Sequence, residues 1–123
     1  MSRAAVSVLV ESVYLSVLGL ILLLVPNLLL PLFGFAPTSE VWIRVVGALS
    51  ASFGWYGFCA ARSEDLSYFR ASVPQRLALC VVFIGLVVAR LAAPTLILFG
   101  VVEAASASWT WWALRHPKSL GHR

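Results

Sequence analysis

The sequence predicts an all-α integral membrane protein, a four-helix bundle of up-down topology. Two measures of composition carry this prediction: 61% of the 123 residues are hydrophobic and only 11% are charged. Such a chain cannot surround a core of this size with the polar surface that a soluble domain needs. The third observation is a set of continuous apolar runs without strand alternation, which favours helices over a β-barrel. We therefore expect a single membrane domain over residues 1–123.

Four apolar stretches are long enough to cross a bilayer, since about 20 helical residues span its hydrocarbon core of about 30 Å. Proline marks several of their ends. Pro26 ends the first stretch, Pro74 is expected in the first turn of the third, and Pro94 separates the third from the fourth. The predicted spans are residues 4–25, 41–61, 73–93 and 95–114.

The segment between the first two spans, PNLLLPLFGFAPTSE, is apolar and rich in proline. Irregular backbone cannot cross lipid, because its amides would lack hydrogen-bond partners. We therefore expect residues 26–40 to lie along the outer interface as a short helix or to fold over the bundle. The segment is then either a plain connector or a lid.

Basic residues predict the orientation, because cytoplasmic flanks of membrane spans retain lysine and arginine. Arg44 and Arg90 lie toward the outer side, whereas the other seven basic residues lie at the termini and the middle loop. A multi-pass protein of the cell inner membrane with both termini in the cytoplasm is expected. Contact of this positive rim with the lipid bilayer accounts for the net charge of +4 without nucleic acid. The seven residues are Arg3, Arg62, Arg70, Arg76, Arg115, Lys118 and Arg123.

The ionisable residues Glu11, Arg44 and Glu103 fall inside the predicted spans. A charge at the centre of a membrane helix costs about 2.5–3.5 kcal/mol on insertion scales. Each is therefore expected to face the bundle and to find a partner. Arg44 and Glu103 are expected to pair with each other, and Glu11 is expected to pair with Arg76 nearer the cytoplasm.

Small residues share helix faces with these polar residues. Such stripes let helices approach closely in lipid, so we expect the second and fourth spans to be in contact. The stripe of the second span comprises Arg44, Gly47, Ala51, Gly54 and Phe58, and that of the fourth comprises Gly100, Glu103, Ala104, Ala107 and Trp111.

A carboxylate inside the membrane has two interpretations. It is either half of a structural ion pair that fixes helix register, or a functional group that moves a proton or anchors the polar head of a lipophilic ligand. In the second interpretation Glu103 acts as acid or base and Arg44 orients it. The catalytic candidates are Glu103, Arg44 and Glu11, and the ligand-binding candidates are Trp55, Tyr56, Tyr14 and Arg76.

The sequence lacks the motifs by which many enzyme classes are recognised. Cys59 and Cys80 form neither a C-x-x-C motif nor a metal-ligand spacing, and His116 and His122 lie outside the spans. No glycine-rich phosphate loop and no nucleophile elbow occurs. We therefore expect no metal and no cofactor.

Three functions from different classes are consistent with these observations. The preferred one is a non-catalytic accessory or assembly protein, which associates with itself or with a larger membrane complex through the small-residue stripes. The second is a membrane-embedded binding protein or small enzyme for an isoprenoid, sterol-like or fatty ligand. The third is an oligomeric channel or exporter.

The predicted bundle is similar in architecture to small four-span proteins of bacterial inner membranes, such as the DoxX-like group. The sequence carries no motif specific to that group. The resemblance therefore implies the architecture alone, and no site residue is taken from it.

Overall fold

A computed structural model describes residues 1–116, and the long elements within them are all α-helices. The prediction of an all-α fold is confirmed. Lys118, His122 and Arg123, on which part of the predicted orientation and of the expected absence of a metal depends, lie outside the described residues. The helices are α1 (Arg3–Leu24), α2 (Pro26–Leu29), α3 (Val41–Arg62), α4 (Leu66–Val88) and α5 (Leu96–Arg115), and a 3-10 helix (Leu30–Phe33) follows α2.

Three of these helices, α1, α4 and α5, are long and apolar enough to cross a membrane. The helix α3 has 22 residues, as many as α1. Its arginines, glycines and serines lower its hydropathy, so composition alone does not mark it as a span. The four long helices alternate in direction along the chain. We call the end of the molecule with Arg3, Arg62 and Arg115 the basic end, and the end with residues 25–40 the loop end.

The helix α4 begins earlier than the sequence analysis predicted. It starts at Leu66 rather than at Val73, because Asp65 caps it by accepting a hydrogen bond from the amide of Tyr68 at 3.1 Å. Pro74 therefore lies inside the helix and not in its first turn. The prediction that Pro74 lies in the first turn of this helix was wrong.

The same helix also ends earlier than predicted. It stops at Val88, because Arg90 adopts a left-handed backbone conformation with φ 62°. The amide of Leu91 then bonds to the carbonyl of Leu86 at 2.9 Å, a common way to close a helix. The predicted limit of residue 93 was thus too late.

The helices α1 and α3 lie antiparallel and in close contact. Gly19 and Gly47 face each other, and a Cβ atom added to either would lie 2.5 Å from a backbone atom of the other helix. Gly54 packs comparably closely on α1. Ser50 adds a hydrogen bond to the carbonyl of Leu15 at 3.0 Å. The small residues of α3 therefore serve contact with α1, as close helix packing requires.

The stripe of α5 packs against α4 instead of α3. Gly100 lies against Cys80 and Phe83 of α4. Contact between α3 and α5 is minor by comparison. The expected contact between the second and fourth spans was therefore wrong, because each stripe found a partner on another helix.

The packed core lies at the basic end. Its members are mostly alanines, whose small side chains let the four helices converge. Ser7 of α1 and Thr110 of α5 add a buried hydrogen bond of 2.8 Å between their hydroxyl groups. The core residues are Ala4, Ala5, Val8, Ala60, Ala61, Phe69 and Ala113.

The turn between α3 and α4 is tied to the start of α1 at the basic end. Glu64 accepts hydrogen bonds from the amide of Ser2 at 2.9 Å and from its hydroxyl at 2.6 Å. Partial burial acts to raise the pKa of Glu64, but these hydrogen bonds and the positive charge of the N-terminus together hold that pKa below its usual value. The ionised carboxylate thus links the first helix to the middle of the chain.

At the loop end, the segment after α1 folds over the bundle. Asn27 exchanges two hydrogen bonds with the backbone of Thr38, at 2.8 and 3.0 Å. Thr95 donates its hydroxyl to the carbonyl of Phe33, and the ring of Phe33 lies 5.0 Å from that of Phe99. Both contacts attach the segment to the start of α5. Of the two predicted arrangements, the structure contains elements of both, a short helix and a fold over the bundle.

Candidate functional site

A cavity of about 430 Å³ lies between the α1–α3 pair and the α4–α5 pair, in the half of the molecule nearer the loop end. This volume is within the range of about 300–1,000 Å³ that is typical of small-molecule sites. Its wall consists almost entirely of leucine, isoleucine, valine and phenylalanine side chains. Large side chains hold the helices apart here, whereas alanines bring them together at the basic end.

The cavity opens sideways beside α3. Val46, Leu49 and Phe53 line it, yet their exposed fractions are 49%, 56% and 60%. These side chains therefore face the surroundings as well as the cavity. The cavity is therefore not closed on the side of α3.

The segment that folds over the loop end closes the cavity on that side. Leu29, Leu30, Phe33 and Phe35 belong to the cavity wall. The sequence predicts either a connector or a lid here and does not single out these four residues. Their large apolar side chains, in a segment too broken by proline to cross lipid, were the available signal.

Three residues bring polar side chains to the wall: Tyr14, Ser50 and Glu103. Tyr14 and Glu103 are the lining residues of α1 and α5 that lie farthest from the loop end. Only 4% of Glu103 is exposed. The cavity is thus an apolar space with a carboxyl group and a phenol at its inner limit.

Glu103 belongs to a buried group of three ionisable residues, which we call the polar centre: Glu11, Arg76 and Glu103. Their exposed fractions are 7%, 3% and 4%. The carboxyl groups of Glu11 and Glu103 lie close enough for a hydrogen bond between them, and the guanidinium of Arg76 lies near both. The Oε2 atom of Glu11 is buried without a hydrogen-bond partner.

Arg76 is held by uncharged acceptors. It donates to the carbonyl and hydroxyl of Ser72 at 3.3 and 2.7 Å, to the hydroxyl of Ser106 at 2.9 Å and to that of Thr110 at 3.0 Å. Among residues 1–116, no hydrogen bond joins Arg76 to a carboxyl group. The predicted partners Glu11 and Arg76 therefore share one centre without forming a hydrogen-bonded ion pair.

The predicted pair of Arg44 and Glu103 was wrong. Arg44 donates to the carbonyls of Leu23 at 2.5 Å and Leu24 at 3.3 Å, at the end of α1. The last carbonyls of a helix lack intrahelical partners and carry partial negative charge, which suits a guanidinium. Arg44 thus finds its acceptors on the neighbouring helix end, far from the polar centre.

This arrangement predicts that changes at Arg44 and Glu103 act independently. Arg44→Met is expected to lower the free energy of unfolding by about 1 kcal/mol, because two carbonyls lose a charged donor. With Glu103→Gln added, the two effects should sum within about 0.5 kcal/mol, since the residues share no partner. Unfolding of the four proteins in detergent measures this, and a coupling above about 1 kcal/mol would support a direct pair instead.

The other candidates divide between the cavity and the outside. Tyr14 joins the polar centre at the cavity, whereas Trp55 is 62% exposed and lines a separate groove between α1 and α3. Tyr56 is 63% exposed and does not line the cavity.

Sequence reasoning missed the hydroxyl groups that hold Arg76. Their spacing was a usable signal, because Ser72 lies four residues before Arg76 on α4.

No group of three or more metal-binding side chains occurs within the part of the chain that the structure describes. Cys59 and Cys80 are both free thiols.

Comparison of the chain with protein-family models, curated proteins and solved structures finds no match. The functional interpretation therefore depends on the cavity and the polar centre.

Proposed function

We propose that the chain is a four-span membrane protein that binds a lipophilic molecule in the cavity, with the polar head of that molecule at Glu103. One observation carries this proposal: a sideways-opening apolar cavity ends at a carboxyl group that is 96% buried, since Glu103 is 4% exposed. Apolar pockets with a few convergent polar groups are typical of ligand sites. Ionisable residues inside a membrane bundle are commonly functional.

The packing of α3 against α1 supports the proposed four-span topology. This helix lies beside α1 over most of its length, so a bilayer that α1 crosses surrounds α3 as well. The basic end then faces the cytoplasm together with both termini, because Arg3, Arg62 and Arg115 lie there and cytoplasmic flanks retain arginine. The side opening of the cavity faces lipid in this arrangement.

The accessory function and the channel have less support from the packing. The small residues that were expected to bind a partner are used within the chain, since Gly47 packs on α1 and Gly100 on α4. A channel through a single copy of the chain needs a path through both halves of the bundle. The alanine-rich core occupies the half at the basic end.

The test is native mass spectrometry of the gently solubilised protein with two matched variants. Leu79 lines the cavity, whereas Leu77 on the same helix is 43% exposed and does not line it. We expect a lipophilic adduct on the wild type and on Leu77→Trp. The adduct should be lost from Leu79→Trp, because the indole fills the space.

The same experiment can contradict the proposal. A wild type that carries no small molecule after extraction in several mild detergents would count against ligand binding. So would an adduct that both tryptophan variants retain equally, since it would then lie elsewhere on the protein.

A further inference from the structure

The polar centre contains more acceptors than donors. It holds two carboxyl groups and one guanidinium. Arg76 donates its hydrogen bonds to Ser72, Ser106 and Thr110 and not to the carboxyl groups. Oε2 of Glu11 has no partner although 93% of the residue is buried, its exposed fraction being 7%. The centre therefore needs a further donor.

The charges show the same imbalance. With both carboxyl groups ionised, the centre carries two negative charges and one positive charge. An uncompensated charge away from water is costly, so one additional positive charge is required for balance. That charge is either a proton on the carboxyl pair or the head of a bound cation.

We propose that the ligand of the cavity is a lipophilic primary amine, whose ammonium head binds at Glu103 and Glu11 while its hydrocarbon tail lies in the apolar cavity. The inference rests on the proposed function, since the same cavity holds the tail. An ammonium group donates three hydrogen bonds. Glu103 and the phenol oxygen of Tyr14 line the cavity, and Glu11 lies beside Glu103, so these side chains supply three acceptor groups.

Binding of the amine exchanges one positive charge for another. In the empty site, one proton lies on the pair of carboxyl groups, because two adjacent like charges disfavour each other. When the ammonium enters, the O–H bond of the protonated carboxyl breaks, its electron pair remains on the carboxylate, and the proton leaves to water. The net charge of the centre does not change.

This exchange makes amine affinity depend on pH. The other titratable groups that face the carboxyl pair are Tyr14 from α1 and Tyr68 and Arg76 from α4. From α3, the wall of the cavity receives the hydroxyl of Ser50 and no charged side chain. Because protons compete with the ammonium, amine affinity should rise with pH. The affinity should stop rising at about pH 10, where an aliphatic amine loses its own proton.

The test compares three ligands with the same saturated chain and different heads: a primary amine, an alcohol and a carboxylic acid. The full-length protein in lipid nanodiscs is titrated with each ligand, and binding is measured by native mass spectrometry. A pH indicator in weakly buffered solution records proton release. We expect the amine to bind at least about tenfold more tightly than the alcohol, with about one proton released per amine bound. The acid should bind most weakly.

Two variants assign the effect to the carboxyl pair. Glu103→Gln should weaken amine binding at least about tenfold and leave alcohol binding within about twofold. Glu40→Gln is the matched control, because Glu40 is exposed and lies at the start of α3. If Glu103→Gln does not fold, Glu11→Gln serves the same purpose, since it also removes one charge from the pair and should abolish proton release.

The outcomes separate the two proposals. Alcohol binding as tight as amine binding, without proton release, would overturn the amine assignment and leave the lipophilic site in place. Equal loss of amine and alcohol affinity in Glu103→Gln would also overturn it. If none of the three ligands binds and no adduct survives purification, the proposed function fails together with this inference.

Discussion

Replacing Arg76 with methionine is expected to lower the free energy of unfolding by about 3–5 kcal/mol, the largest effect of any single change considered for this chain. Arg76 is only 3% exposed and donates four hydrogen bonds to Ser72, Ser106 and Thr110 on α4 and α5. Methionine fills much of the same space but leaves Ser106 and Thr110 without this donor. It also removes the one positive charge of the polar centre. Unfolding in detergent, followed by helical circular dichroism, measures the loss.

Arg70 supplies the matched control for this prediction. It lies on the same helix but is exposed, so Arg70→Met should change the free energy of unfolding by less than about 0.5 kcal/mol. Similar unfolding curves for the two variants would mean that the buried arginine does not hold α4 and α5 together.

Replacing Gly47 with alanine should destabilise the protein by about 1–3 kcal/mol. The added Cβ atom would lie 2.5 Å from the amide nitrogen of Leu23 and 2.6 Å from the carbonyl oxygen of Gly19. Both are backbone atoms, so no flexible side chain can give way. The helices α1 and α3 must separate instead, which weakens packing along the whole pair. Thermal unfolding in detergent detects this as a lower midpoint.

The same chemical change at Gly85 is the control. A Cβ atom added there meets nothing within 4 Å. Gly85→Ala should therefore leave stability unchanged or raise it by up to about 1 kcal/mol, because alanine loses less backbone entropy in a helix. If Gly47→Ala were as stable as Gly85→Ala, the close approach of α1 and α3 would not be a feature of the folded protein.

The positions of the helices could largely be predicted from the sequence, because composition and proline act locally. Pro26 follows the end of α1, and Pro94 lies between α4 and α5, as expected. Pro74 predicts a helix start near residue 73, whereas the capping residue Asp65 sets the start of α4 at Leu66. Asp65 is an equally local signal in the sequence, because an aspartate side chain commonly caps a helix by accepting a hydrogen bond from the amide three residues later.

The choice of partners could not be predicted in the same way. Helical periodicity shows that Gly47 and Gly54 share a face, but it does not show which helix lies against that face. The sequence predicts a pair of Arg44 and Glu103 because both ionisable residues fall inside predicted spans and need a partner. The end of α1 offers backbone carbonyls, which carry no mark in the sequence. The cavity escaped prediction for a related reason, since it depends on where large side chains of several helices fail to meet.

The side opening beside α3 determines whether a ligand in the cavity exchanges with the bilayer or with water. In the proposed topology, a molecule leaving the cavity enters the acyl chains of the bilayer and not the aqueous phase. Occupancy then follows the mole fraction of the ligand in the membrane, because hydrocarbon chains partition strongly out of water. Two preparations with equal total ligand but different amounts of lipid would fill the site to different extents. Diluting the sample with buffer at a constant ratio of ligand to lipid would leave the occupancy almost unchanged.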